Sequence, residues 1–232
     1  MRHTLGAGVI AGLAVAVPTA AHADALQDQV VANARTVLPT AFAFTQTTRV
    51  ERPGADPKVF VSRYDPARAP AQRWTLVSID GQPPSAKQIA AAGKAANGQP
   101  VPSYSSVAKW FGAPATRIAQ GPGSVTYRFA RLPAGVVMIG KHDASADTAA
   151  DALVDTSGRV PVVTRVRYVS STAFRMALVV KVERYVFLES FRSGPDGRPV
   201  PEATTGEMAG SLLGKAGTLT TRTTYSDIRA ER

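Results

Sequence analysis

Cysteine is absent from the 232 residues, and histidine occurs only three times. Without thiols the chain can form no disulfide, no cysteine nucleophile and no thiolate zinc site, so its stability has to come from a packed apolar core. His3 and His22 fall in the first 23 residues, which leaves His142 as the one imidazole of the remainder. A triad hydrolase would have to be built around that ring, and no Gly-x-Ser-x-Gly elbow accompanies it. A phosphate loop is missing too. Gly121-Pro122-Gly123 is not followed by Gly-Lys-Ser or Thr, and proline removes a backbone donor, so the segment reads as a turn. Nor does any stretch stay apolar over the ~18 residues that a bilayer crossing requires. Residues 176–188 are apolar at many positions but are broken by Lys181, Glu183 and Arg184.

What is present begins with an export leader. Arg2 and His3 form a short polar start, residues 5–17 an apolar stretch closed by Pro18, and Ala21-His22-Ala23 meets the small-x-small cleavage rule. Residues 1–23 are therefore expected to be a cleavable signal peptide, with Asp24 as the mature N-terminus and residues 24–232 as one domain of a soluble, exported protein. A bacterial lipid anchor needs cysteine at the cleavage point, and Asp24 stands there, which excludes anchoring by that route. Lys and Arg number 27 against 17 Asp and Glu. Such a balance favours anionic partners. Outside the cytoplasm these would be an anionic membrane, acidic glycans or an envelope protein, and not nucleic acid. The basic residues are scattered, without a run of about five or six, as on an ordinary solvated surface.

Residues 24–38 set Leu26, Val30, Val31, Ala34 and Val37 at helical spacing before Pro39, predicting an amphipathic helix. From Ala41 the period changes to two, with Phe42, Phe44, Gln46, Thr48 and Val50 on one side. Pro53-Gly54 marks a turn, and residues 58–64 and 72–79 continue as second and third strands of a meander, the third carrying Trp74 and Leu76 on one face. Ser85 is a suitable N-cap for a helix running to about Ala96, and residues 104–111 predict a short helix presenting Val107, Trp110 and Phe111. Strands return at 116–119, 124–131, 136–139, 149–155 and 160–170, the last two flanking the hairpin loop Thr156-Ser157-Gly158-Arg159. Residues 177–191 are the longest strand expected and 218–226 the last. About ten strands and three modest helices predict an α+β fold, a large curved antiparallel sheet whose concave face the helices cover.

The alternation of residues says which way that sheet faces. Val162, Thr164, Val166 and Tyr168 share one side, and Arg165 and Arg167 the other. On the next strand Met176, Leu178, Val180, Val182, Val186 and Leu188 share a side opposite Lys181, Glu183 and Glu189. Arg184 falls among the apolar positions. Either a β-bulge shifts the register there by one residue, or the guanidinium is buried against carbonyls or a carboxylate. An oily concave face covered by three helices is either filled as an ordinary core or left with a pocket for apolar ligands.

The amphipathic helix after the leader, the strand Phe42-Ala43-Phe44-Thr45-Gln46-Thr47 and the entry Arg73-Trp74-Thr75-Leu76 resemble the LolA-like lipoprotein-carrier superfamily, in an order of elements that extends over most of the mature chain. The resemblance implies a half-open antiparallel barrel capped by helices, placed in the Gram-negative periplasm. Its cavity would accept lipid or lipoprotein acyl chains, with no cofactor, metal or catalytic residue. Carried onto this sequence, it implies as cavity liners Phe42 and Phe44 on the first strand, Trp74 and Leu76 on the third, and Leu178, Val180 and Val182 late in the chain. The helix at 85–96 and residues 98–103 depart from the carrier pattern, so the expectation is a divergent member that holds an acyl chain or another apolar ligand. The alternative is an envelope sensor or scaffold with a filled core, binding a protein through Arg165, Arg167 and Lys181. His142, in Lys141-His142-Asp143, reads as a surface residue at a strand end. Asp143, Asp147 and Asp151 read as a solvated acidic turn, because the glycine and terminal glutamate of a calcium loop are missing.

Overall fold

In a computed structural model of the chain, the structure describes residues 24–96, 100–170, 172–177 and 180–231. The expected leader at 1–23 and the candidate Leu178 lie outside the described residues. The first element is α1 (Ala25–Thr36), opened by a capping box in which the Asp24 carboxylate accepts from the Leu26 and Gln27 amides while the Gln27 side chain accepts from the Asp24 amide. Its buried face is Gln27, Val30, Val31 and Ala34, at the spacing of one helical stripe. Strands β1 (Phe42–Arg52), β2 (Ala55–Tyr64) and β3 (Trp74–Ile79) form the expected meander. Next come α2 (Ala86–Ala96) and a 3-10 helix, Tyr104–Lys109, followed by β4 (Thr116–Gly121) and β5 (Ser124–Phe129). A separate ribbon, β6 (Met138–Ile139) with β7 (His142–Asp143), stands where a sheet strand was expected at 136–139. The remainder is β8 (Thr148–Asp155), β9 (Val162–Ser170), β10 (Phe174–Ala177), β11 (Val180–Ser193), β12 (Pro199–Leu212) and β13 (Lys215–Ala230).

Every pairing in the large sheet is antiparallel, and its order is β3-β2-β1-β13-β12-β11-β9-β8-β5-β4, with β10 against β11. The terminal strands β3 and β4 are not paired with each other, so this large antiparallel sheet is not closed into a barrel. Two expectations need correction. The longest strand is β13, with 16 residues, and not the segment at 177–191. The 14-residue β12 was not anticipated at all, because its side chains are small and two prolines open it. Gly206 on β12 faces Phe187, whose ring would lie 2.7 Å from an added Cβ, so a side chain there would exclude the ring.

Arg184 is settled by a bulge. Val182 pairs with Gly210, but the next pair is Arg184 with Ala209, so β11 spends one more residue than β12 at this point. Arg184 is thereby turned outward to Glu207, at 3.1 Å. The same slip exchanges the faces of the rest of β11. Tyr185 and Phe191 enter the core, Phe187 packs against it and Glu189 joins them on the concave side. Glu189 was expected on the charged outer face, and the bulge overturns that placement. On β9 the alternation holds from Arg165 onward, with Val166 and Tyr168 buried and Arg165 and Arg167 exposed, but a register shift before Arg165 buries Val163 in place of the expected Val162 and Thr164.

The concave face is filled unevenly. Over β5, β8, β9 and β11, α1 and the 3-10 helix press Val30, Ala34, Tyr104, Trp110 and Phe111 into a continuous buried cluster. The Gln27 amide donates to the carbonyls of Phe111 (2.7 Å) and Ala113 (3.0 Å), tying α1 to the end of the 3-10 helix. The Val163 amide donates to the Tyr104 hydroxyl at 2.9 Å, and burial, only partly offset by that bond, pushes the phenol up to about 12. Over β1, β2 and β3 the cover is α2, which buries none of its residues.

Candidate functional site: two adjoining cavities on the open half of the sheet

Between α2 and the meander lies a cavity of about 620 Å³. Its sheet wall follows from register: Phe60 pairs with Ile79 and Ser62 with Leu76, and Trp74 follows two residues from Leu76 on the same side. All five line the cavity. The opposite wall is Gln88, Ala91, Ala92 and Ala95 of α2, a single stripe at helical spacing. Alanine stubs reach too short a distance to meet the sheet, and space is left between them. The lining is chiefly apolar, as suits a site for hydrocarbon.

A second cavity, of about 350 Å³, adjoins the first. Both touch Pro100 and Pro102, and Gln46 of the first is the cross-strand partner of Tyr225 in the second. Tyr168, Phe187, Glu189, Thr204 and Tyr225 line it on the sheet side, and Trp110 at the end of the 3-10 helix faces them. The Tyr168 hydroxyl donates to the Glu189 carboxylate at 3.4 Å. Burial pushes the Glu189 carboxyl up to about 7, with the Tyr168 bond pulling weakly the other way, and burial also drives the Tyr168 and Tyr225 phenols upward. Glu189 retains partial exposure through the cavity, although its carboxyl is otherwise enclosed by protein.

That shift has a measurable sign. A carboxyl with a raised folded pKa binds its proton more tightly in the native state, so its cost is absent below the unfolded value near 4.5 and grows until pH passes about 7. The thermal midpoint of Glu189→Gln relative to the parent is therefore expected to rise between pH 5 and pH 8. A constant difference over that range would mean that Glu189 titrates as an ordinary surface carboxyl.

The residues singled out from sequence are not all brought together. Trp74 and Leu76 stand in the wall of the larger cavity. Phe44 is buried beside that wall, with ring centroids 5.1 Å from Tyr64, 5.7 Å from Trp74 and 5.5 Å from Tyr225. Phe42 is buried and carries the Arg198 guanidinium over its ring at 4.8 Å. Val182 belongs to the filled core, and Val180 is half-buried at the start of β11. Phe42, Phe44, Val180 and Val182 line neither of the two cavities. Phe60, Ile79 and the α2 alanines were not anticipated as lining, although the period-two pattern at 58–64 could have found Phe60. Tyr168 stands on the apolar side that the alternation of β9 assigns it, whereas Glu189 could be found beside it only by placing the bulge.

Elsewhere, the His142 ring stacks on Phe174 with centroids 4.3 Å apart. Asp143 accepts from Ser145 and the Gly135 amide, and Asp151 pairs with Arg128 at 2.7 Å, so both are engaged within the fold. Among the described residues no three His, Asp or Glu side chains converge as a metal site, and no helix is long and apolar enough to cross a membrane.

No protein-family model and no curated protein matches the sequence. Among solved structures, the chain is similar to the crystal structure of a LolA superfamily protein from Nitrosomonas europaea. That likeness has 13% identity and a TM-score of 0.37, and covers 92% of this chain and 95% of that one.

Proposed function

We propose that this protein is a soluble periplasmic carrier that holds an acyl chain or similar apolar group between α2 and strands β1, β2 and β3, as a divergent relative of the lipoprotein carriers that its sequence resembles. The observation that carries this reading is the apolar cavity of about 620 Å³ on the one half of the concave face that α1 and the 3-10 helix leave uncovered. Burial of hydrocarbon would drive binding, and α2, which buries none of its own residues, is the element that can move aside for entry and release. No step of such a cycle asks for catalysis or a cofactor.

Each methylene taken from water into the cavity is worth about 0.8 kcal/mol, which is roughly a fourfold gain in affinity. Titration of residues 24–232 with straight-chain primary alcohols of increasing length is expected to show that increment until the cavity is full. Ala92→Trp, which puts an indole into the same space from the α2 side, is expected to abolish the increment while leaving the fold intact. Affinity independent of chain length, or unchanged in Ala92→Trp, would refute the carrier.

A further inference from the structure

We infer that the bound amphiphile carries an ammonium group beside its hydrocarbon chain, and that Glu189 together with the rings of Trp110, Tyr168 and Tyr225 receives it. This assignment rests on the carrier reading and extends it to the chemistry of the head group. A carboxyl enclosed by aromatic side chains is costly to ionise unless a cation or a set of donors faces it. Among the described residues no Lys or Arg forms an ion pair with Glu189, and its one hydrogen-bond donor is the Tyr168 hydroxyl. Lys109 reaches the same cavity from the 3-10 helix but is exposed at its rim. The acid therefore waits for a positive charge from outside the chain.

The surroundings suit an ammonium. Trp110 and Tyr168 meet edge to face with centroids 6.0 Å apart, and Phe187 and Tyr225 add two further rings to the lining around Glu189. Aromatic faces attract ammonium ions by their quadrupole, and a carboxylate among them adds a full charge. A neutral head group would gain neither attraction, and an anionic one would be repelled. General surface electrostatics does not account for the preference, since the chain as a whole carries +10 and draws anions. The larger cavity, reached past Pro100 and Pro102, lies where the hydrocarbon tail of the same molecule would continue.

An ammonium attached to an acyl chain can be a phospholipid head group or the free amine of an acylated peptide, and two probes separate these. Decyltrimethylammonium, decylamine and the neutral decanol would each be titrated calorimetrically into residues 24–232 at pH 8, below their micelle concentrations. At least one ammonium probe is expected to bind about tenfold or more tightly than decanol. Preference for decylamine would point to a primary amine, and preference for decyltrimethylammonium to a quaternary head group. Glu189→Gln is expected to remove the preference of the ammonium probes over decanol. Lowering the pH to 5 should weaken both ammonium probes and leave decanol unaffected, because neither probe's own charge titrates between pH 5 and pH 8 while the Glu189 carboxyl gains its proton. Of the groups facing Glu189, the Tyr168 and Tyr225 phenols, both shifted upward, keep their protons across that range, and the other charged side chain lining the cavity is Lys109 at the rim. Equal affinity for decanol and both ammonium probes, or a preference that survives Glu189→Gln, would overturn the head-group assignment while leaving the carrier standing. Failure of all three probes to bind would take down both.

Discussion

Gly210→Ala is expected to cost about 3 kcal/mol of folding stability, although it adds a single methyl group to a strand. Gly210 pairs with Val182 at the bulge of β11, and a Cβ built there would run into the Lys181 carbonyl and stand 3.1 Å from the Val182 Cα. Both obstacles are backbone, so no rotamer can relieve them. The strands would have to separate, or the bulge would have to move. Gly217 is the internal control, because it is the register partner of Gly210 on β13 and a Cβ there meets nothing within 4 Å. Gly217→Ala should therefore stay within about 0.5 kcal/mol of the parent. Urea unfolding midpoints of the two variants decide the matter, and equal midpoints would contradict the bulge geometry. The consequence reaches the cavity, since the bulge is what turns Phe187 and Glu189 inward. Any Gly210 variant that folds by shifting register should lose the difference between pH 5 and pH 8 that Glu189 confers.

The same bulge marks the boundary of what residue patterns can show. The α1 stripe, the β1–β3 meander and the helix from Ser85 were legible because each combines one clean period with a terminating Pro, Gly or capping residue, as was the β8–β9 hairpin, although its loop runs on to Pro161 rather than ending at Arg159. Trp74 and Leu76 were legible as neighbours on one face for the same reason. Beyond Arg184 strict alternation assigns every side chain of β11 to the wrong face, because one inserted residue inverts a period of two. Arg184 itself was the only sign, a charge at an apolar position, and it allowed two explanations. β12 was illegible for a different cause: Ala203, Gly206 and Gly210 present little apolar surface, and the strand exists because β11 and β13 pair with it on both sides. The alanines of α2 carry no hydrophobic signal strong enough to distinguish a cavity wall from a solvated face.

Phe111→Ala is expected to destabilise the protein by about 3 to 5 kcal/mol, whereas Trp74→Ala, a larger truncation, should cost no more than about half as much. The contrast follows from how the two halves of the concave face are filled. Phe111 is fully buried, with ring centroids 5.6 Å from Trp110, 5.5 Å from Tyr127 and 5.4 Å from Phe129, and its carbonyl anchors Gln27 of α1. Removing its ring leaves a void that α1 and β5 cannot both close. Trp74 is half-buried and already borders open space, so its removal enlarges a cavity and opens no new one. If chemical denaturation found the two costs equal, the open half would be as tightly packed as the core and would have no room for a guest. If they differ as expected, the stability that lets β1, β2, β3 and α2 stay underfilled resides in the cluster around Phe111. An apolar ligand would then supply to the open half the contacts that the chain supplies to itself on the other, and saturating hydrocarbon should raise the thermal midpoint of the parent more than that of Ala92→Trp.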